Sequence, residues 1–244
     1  MIDEQPGVRW RGEGRMTGGD AVWWTGGLDP RRPRPLAVVV TGALGRPERH
    51  LPLLKRLVRR GHAVVATSPP TAAHHSGLPL SRLIDRFAPL AVTARTCVIG
   101  FDLGGIPALA AASGDERIRV TQVVGTPVAR LFDEPELLLS LPTPNLDALV
   151  RATGAPRREL LPEALGGFAL RAETLYPLPG LVRVAYTADD PLTPPQDLAL
   201  LKLALARSEF RAFPGRGDGT APAGRPLRRW LVEGARTGPR RAPR

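Results

Sequence analysis

Two rhythms of apolar residues organise this chain. Residues 36–40 form a continuous apolar run rich in Val, as expected of a strand buried on both faces. Between residues 48 and 60 the apolar positions Leu51, Leu54, Leu57 and Val58 make a helical stripe, and Gly61 stops it. Residues 62–67 read as a second buried strand. Strand, helix and strand at this spacing predict a right-handed βαβ unit and hence a parallel sheet. After a loop over residues 68–77, residues 80–90 read as helix, 97–99 as a short buried strand, 106–112 as the start of a helix and 119–125 as a strand. Residues 128–178 break the rhythm with several prolines and two helical stretches, 145–153 and 158–170, and read as an inserted cap. The alternation returns with a strand at 181–186, a helix at 194–206, a strand at 209–213 and a helix at 227–233. No internal repeat is visible.

The 244 residues suffice for one domain with a sizeable core, and 43% hydrophobic content fits a globular protein. The expected division is an N-terminal arm or hairpin over 1–35, a main domain over 36–234 with the cap at about 128–178, and a basic tail over 235–244. No apolar stretch approaches the ~20 residues of a membrane span, and the N-terminus carries no apolar secretory segment. A cytoplasmic protein without membrane contact is the expectation. The single Cys97 excludes an internal disulfide and a cysteine metal cluster, and it reads as core.

The net charge is +11, almost all of it Arg, since Lys55 and Lys202 are the only lysines. The charge is uneven. Arg46, Arg49, Lys55, Arg56, Arg59 and Arg60 line one early helix, and Arg225, Arg228, Arg229, Arg236, Arg240, Arg241 and Arg244 crowd the C-terminus. A basic tail can attract polyanions. No aromatic residue is interleaved with it after Trp230, which argues against nucleic acid as a partner.

The chemistry concentrates at Gly100-Phe101-Asp102-Leu103-Gly104-Gly105, between the apolar run 97–99 and the small-residue helix after it. A strand reversing sharply into a helix needs glycines on both sides, and the apex residue is then pushed out over the sheet edge. The other reading is an ordinary βα turn with Asp102 capping the helix. This stretch resembles the nucleophile elbow of α/β hydrolases, with Asp102 at the position of their nucleophile. Three further places carry the resemblance. Val38-Val39-Val40-Thr41-Gly42-Ala43 is similar to the family's oxyanion loop, which implies an oxyanion hole at Ala43 and Leu103. Asp189-Asp190-Pro191-Leu192-Thr193-Pro194 resembles the segment bearing the triad acid, which implies that role for Asp190. Phe213-Pro214-Gly215-Arg216-Gly217-Asp218-Gly219 resembles the closing loop, where Asp218 stands in place of the catalytic His. The resemblance implies a three-layer α/β fold with a mainly parallel sheet and a small-molecule substrate or ligand. It implies no cofactor and no metal.

An Asp at the elbow is similar to the haloalkane dehalogenase and epoxide hydrolase branch, where the carboxylate attacks carbon and a His then activates water to cleave the ester. The region from Asn145 onward diffusely resembles polyhydroxyalkanoate synthases. The departure is that His50, His62, His74 and His75 all precede the elbow. A general base supplies ~10²–10⁴-fold, and a carboxyl with pKa near ~4 is a weak base at neutral pH. His74 and His75, in a loop after a strand at the same sheet edge, are the alternative bases. Two functions follow: a hydrolase or acyl-transfer enzyme with a degenerate triad, or a catalytically silent relative that binds a ligand or protein. A third resemblance is to NAD(P)-binding reductases, through Thr41-Gly42-Ala43-Leu44-Gly45-Arg46-Pro47-Glu48. Glu48 there replaces a packing glycine and would face a pyrophosphate, so dinucleotide binding is not expected.

Overall fold

The computed structural model describes residues 14–15, 21–42, 47–67, 78–128, 134, 137–138, 141–166, 170, 172–176, 178–188, 190, 193, 195–205, 208–214 and 224–236. Eight strands form one sheet: β1 (Gly14–Arg15), β2 (Ala21–Gly26), β3 (Pro35–Val40), β4 (Ala63–Thr67), β5 (Val92–Phe101), β6 (Ile118–Val124), β7 (Leu181–Tyr186) and β8 (Ser208–Ala212). Their spatial order is β1-β2-β4-β3-β5-β6-β7-β8. The pairs β1/β2 and β2/β4 are antiparallel and every other pair is parallel.

The valine run of β3 explains the layering. Successive side chains point to opposite faces, and all of Leu36 to Val40 is buried. Ala37 and Val39 face a core built with Leu53, Leu54 and Leu57 of α1 (Leu51–Arg59) and Leu227, Trp230 and Leu231 of the last helix, α8 (Arg225–Arg236). Leu36, Val38 and Val40 face the other core, with Leu80, Leu83, Ile84 and Phe87 of α2 (Leu78–Phe87) and Ala108, Ala111 and Ala112 of α3 (Gly105–Gly114). Helices thus cover both faces of a mainly parallel sheet, the three-layer architecture expected.

The segment between β6 and β7 holds α4 (Thr143–Thr153), α5 (Leu161–Gly166) and α6 (Ala172–Leu175). Its residues Leu141, Leu146, Leu149, Leu161, Leu165 and Leu175 share one core with Ile106 and Leu109 of α3, Val182 and Val184 of β7, and Leu198 and Leu201 of α7 (Pro195–Ala204). Within the second helical stretch a 3-10 turn, Arg158–Leu160, runs into α5, and Leu170 is not helical.

Two edges differ from the sequence reading. In the stretch expected to be an arm or hairpin, β1 pairs antiparallel with β2, and Trp24, Thr25 and Gly26 of β2 pair in turn with Ala66, Val65 and Val64 of β4. The sheet therefore begins before residue 36, and buried Val22 and Trp24 fix it there. Strand β5 starts at Val92, not 97; Val92 and Thr93 are half-buried and Ala94 and Arg95 exposed, so no apolar run announces this part of the strand.

Candidate active site

Strands β3 and β5 are neighbours, yet their connections leave in opposite directions: β3 leads through α1 to β4 on one side, β5 through α3 to β6 on the other. This is the topological switch point, where open α/β sheets leave a crevice outside the carboxyl ends of the strands. Gly42 follows one of these strands and Asp102 the other.

Strand β5 ends at Phe101, a single 3-10 turn covers Asp102–Gly104, and α3 starts at Gly105. Asp102 has φ +37°, the one positive value at a non-glycine among the described residues. Such a backbone costs on the order of 1–3 kcal/mol and persists where the surroundings impose it. They do so here by close approach. A methyl group on Gly100 would strike the Gly104 carbonyl oxygen, and one on Gly105 would overlap the Thr126 side chain. On Gly104 it would lie 2.8 Å from the carbonyl oxygen of Val40. The elbow therefore packs against the ends of both β3 and β6.

The Asp102 side chain is buried at 1% exposure. Its Oδ1 accepts the Leu103 amide at 2.6 Å. Its Oδ2 lies against Gly42, where an added methyl would collide with it. The carboxylate thus lies between the amide following the apex and the glycine of the loop after β3.

Asp190, two strands away beyond β7, is also buried. Its Oδ2 accepts the Thr193 hydroxyl at 3.3 Å, and its amide donates to the Thr187 carbonyl at 3.2 Å. Strand spacing puts ~10 Å of sheet between the ends of β5 and β7. The end of β6 stands between them. Ala43, His74, His75 and Asp218, the remaining sequence candidates, lie outside the described residues.

Four residues at this edge escaped the sequence reading. Thr126 and Thr187 follow adjacent strands whose register pairs Val124 with Ala185. Both hydroxyls are buried and without a hydrogen-bond partner among the described residues. A buried hydroxyl left unsatisfied costs ~1–3 kcal/mol, so each can serve a ligand's polar atom. Asp197, in the first turn of α7, is buried and its Oδ2 accepts the Val128 amide at 3.0 Å, which ties the exit of β6 to α7. Its legible signal was a carboxylate in a helix's first turn. His50 ends the 3-10 turn Pro47–His50, and its ring lies 4.2 Å from that of Phe101, the residue before Asp102. Burial, with help from Arg49, lowers its pKa to about 4. The imidazole beside the elbow is therefore neutral at pH 7. Burial also pushes Cys97 up to about 12, so its thiol is inert core.

Because the folded His50 binds its proton less readily than an unfolded one, the native state is stabilised above pH ~6.5 and loses that stability as pH falls toward 4. His62 is lowered as well, chiefly by burial, and acts in the same direction. A His50→Phe variant, which keeps a ring on Phe101, is expected to flatten this limb by on the order of 2 kcal/mol. Urea denaturation at pH 7 and at pH 4.5 checks it; parallel losses in the two proteins would assign the limb to other groups.

No family model and no curated protein sequence matches the chain. Solved structures do. AbyA5 aligns with TM-score 0.76 and 25% identity over 94% of this chain and 75% of its own. The 2,6-dihydroxy-pseudo-oxynicotine hydrolase aligns with TM-score 0.72 and 13% identity over 95% and 68%. Est1E from Butyrivibrio proteoclasticus aligns with TM-score 0.60 and 14% identity over 95% and 96%. With the strand order and the elbow, these likenesses show that the chain has the α/β-hydrolase fold. The antiparallel edge and the order around β3 differ from the dinucleotide-binding arrangement 3-2-1-4-5-6.

Proposed function

We propose that the protein acts on a small organic electrophile, with Asp102 as a nucleophile toward saturated carbon. The observation that carries this reading is the 2.6 Å bond from the Leu103 amide to Asp102 Oδ1. In acyl-transfer enzymes of this architecture that amide serves the substrate's oxyanion. Here the side chain itself engages it. That arrangement orients a carboxylate and leaves the amide less available to a tetrahedral intermediate. Attack by the carboxylate on a carbon bearing a halide or an epoxide oxygen forms a C–O bond; a halide departs with the electron pair of the broken bond, whereas an epoxide oxygen stays on the product as an alkoxide and takes a proton from solvent. The product is a neutral ester, which a buried site accommodates more readily than the charged carboxylate it replaces. Structural likeness to the 2,6-dihydroxy-pseudo-oxynicotine hydrolase supports the coarser half of the proposal.

Cleaving that ester needs an activated water, and no His follows the elbow in the sequence. The expected behaviour is therefore a long-lived ester. Intact-mass spectrometry after incubation with a panel of haloalkanes and terminal epoxides should show one stoichiometric adduct on the wild type and none on Asp102→Asn. Aryl esters should be hydrolysed no faster by the wild type than by Asp102→Asn. Absence of any adduct overturns the proposal in favour of a silent ligand-binding protein. Steady turnover would instead reveal a working base, with His50, His74 and His75 the histidines to replace first.

A further inference from the structure

The two arginine clusters that the sequence separates by about 170 residues meet in the fold. Helix α1 packs against α8, and the His62 Nε2, at the start of β4, donates to the Ala235 carbonyl at 3.2 Å. Between the helices lies a groove of about 390 Å³ lined by Arg56, Arg60, Arg229, Val232, Glu233 and Arg236. Helix α1 leaves the carboxyl end of β3 and returns to the start of β4. Its last turn, with Arg56 and Arg60, therefore lies toward the edge of the sheet opposite Asp102.

The charges are not balanced within the groove. Arg229 pairs with Glu233 at 2.7 Å on the exposed face of α8. Arg56, Arg60 and Arg236 form no ion pair among the described residues. Four guanidiniums thus face one carboxylate. Cations in the last turn of a helix gain ~0.3–1 kcal/mol from its dipole, which accounts for single arginines at each helix end. It does not account for two helix ends turning their arginines onto one cavity. The guanidinium fork matches phosphate oxygens bidentately, and the volume is that of a small-ligand pocket rather than of a macromolecular surface.

We propose that this groove is a binding site, separate from the elbow, for a small molecule carrying two or more phosphate groups. Inorganic pyrophosphate is the probe, with inorganic phosphate as the weaker monovalent-site comparison, titrated calorimetrically at fixed ionic strength. Pyrophosphate is expected to bind one to one. The double variant Arg56→Gln/Arg60→Gln should weaken it at least tenfold. Arg95→Gln/Arg157→Gln, two exposed arginines elsewhere that lower the net charge equally, should leave it within twofold. Glu233→Gln should tighten it severalfold by removing the carboxylate from the groove. All five side chains replaced are exposed or half-buried, and matching thermal melts confirm that each variant is folded. Equal weakening in the two double variants would reduce the effect to diffuse charge and overturn the proposal. So would an absence of pyrophosphate binding, or binding confined to long nucleic acids.

Discussion

An Arg183→Ala variant is expected to lose about 3 kcal/mol of unfolding free energy. Arg183 lies on β7, buried under α8, and sits at the centre of a network that closes one side of the sheet. Its Nη1 donates to the Gln122 Oε1 at 2.9 Å and to the Trp230 carbonyl at 2.7 Å. Its Nε donates to Glu209 Oε2 at 2.7 Å. The guanidinium also stacks 3.8 Å from the centre of the Trp230 ring, and the Trp230 indole donates to Glu209 at 2.8 Å. Glu209 is half exposed and can rehydrate when its partner goes, so little of the loss comes from that ion pair. Most of it comes from the Gln122 oxygen left unpaired in the core, from the Trp230 carbonyl losing its second donor and from the lost stacking. Arg183 holds the Glu209 carboxyl below the usual carboxylate range. That contribution is present above pH ~4.3 and is lost as pH falls, so the variant should also show a shallower acid limb. Gly234→Ala probes the same network from α8, because its methyl would strike the Arg183 Nη1 and the Gln122 Oε1. Combined with Arg183→Ala it should cost less than the sum of the two. Urea denaturation of the three variants measures all of this, and a loss below 1 kcal/mol for Arg183→Ala would show the network to be dispensable.

Sequence periodicity recovered the parts of this fold that are buried on both sides. The valines of β3 and the stripe Leu54, Leu57 of α1 can occupy no other environment, so their pattern is unambiguous. The elbow was legible for a different reason. Glycines at 100, 104 and 105 are demanded by close contacts with the Gly104 and Val40 backbone and with the Thr126 side chain. What stayed hidden is what depends on long-range pairing. Strand β2, open as arm or hairpin from its own residues, finds its place in the sheet only once Trp24 is set against Ala66. The N-terminal half of β5 is partly exposed and carries no apolar run. His50 looks like any residue before a helix until the chain lays its ring on Phe101. Thr126 and Thr187 are among many threonines in sequence, and only strand register makes them neighbours. The arginine clusters were visible as charge, yet nothing local tells that the end of α1 meets the end of α8.

The second large effect concerns Asp102 and separates chemistry from stability. At φ +37° an aspartate holds a backbone that glycine adopts without strain. Asp102→Gly is therefore expected to raise the unfolding free energy by ~1 kcal/mol while abolishing the covalent adduct with haloalkanes entirely. Asp102→Asn should abolish the adduct at nearly unchanged stability, because asparagine tolerates the same backbone region. The gain has an independent check at Gly42. In the wild-type background Gly42→Ala drives a methyl group into the Asp102 carboxylate, at a cost of ~1–3 kcal/mol. With Gly at 102 the colliding oxygen is gone, and the next contact of the new methyl is the Phe101 carbonyl oxygen at 3.0 Å. The penalty for Gly42→Ala should then fall to well under half. If Asp102→Gly instead proves less stable than the wild type, the bond from the Leu103 amide holds the elbow more strongly than the strained backbone opposes it. Asp102 would then be a structural cap of the turn, and the nucleophile reading would lose its main physical support.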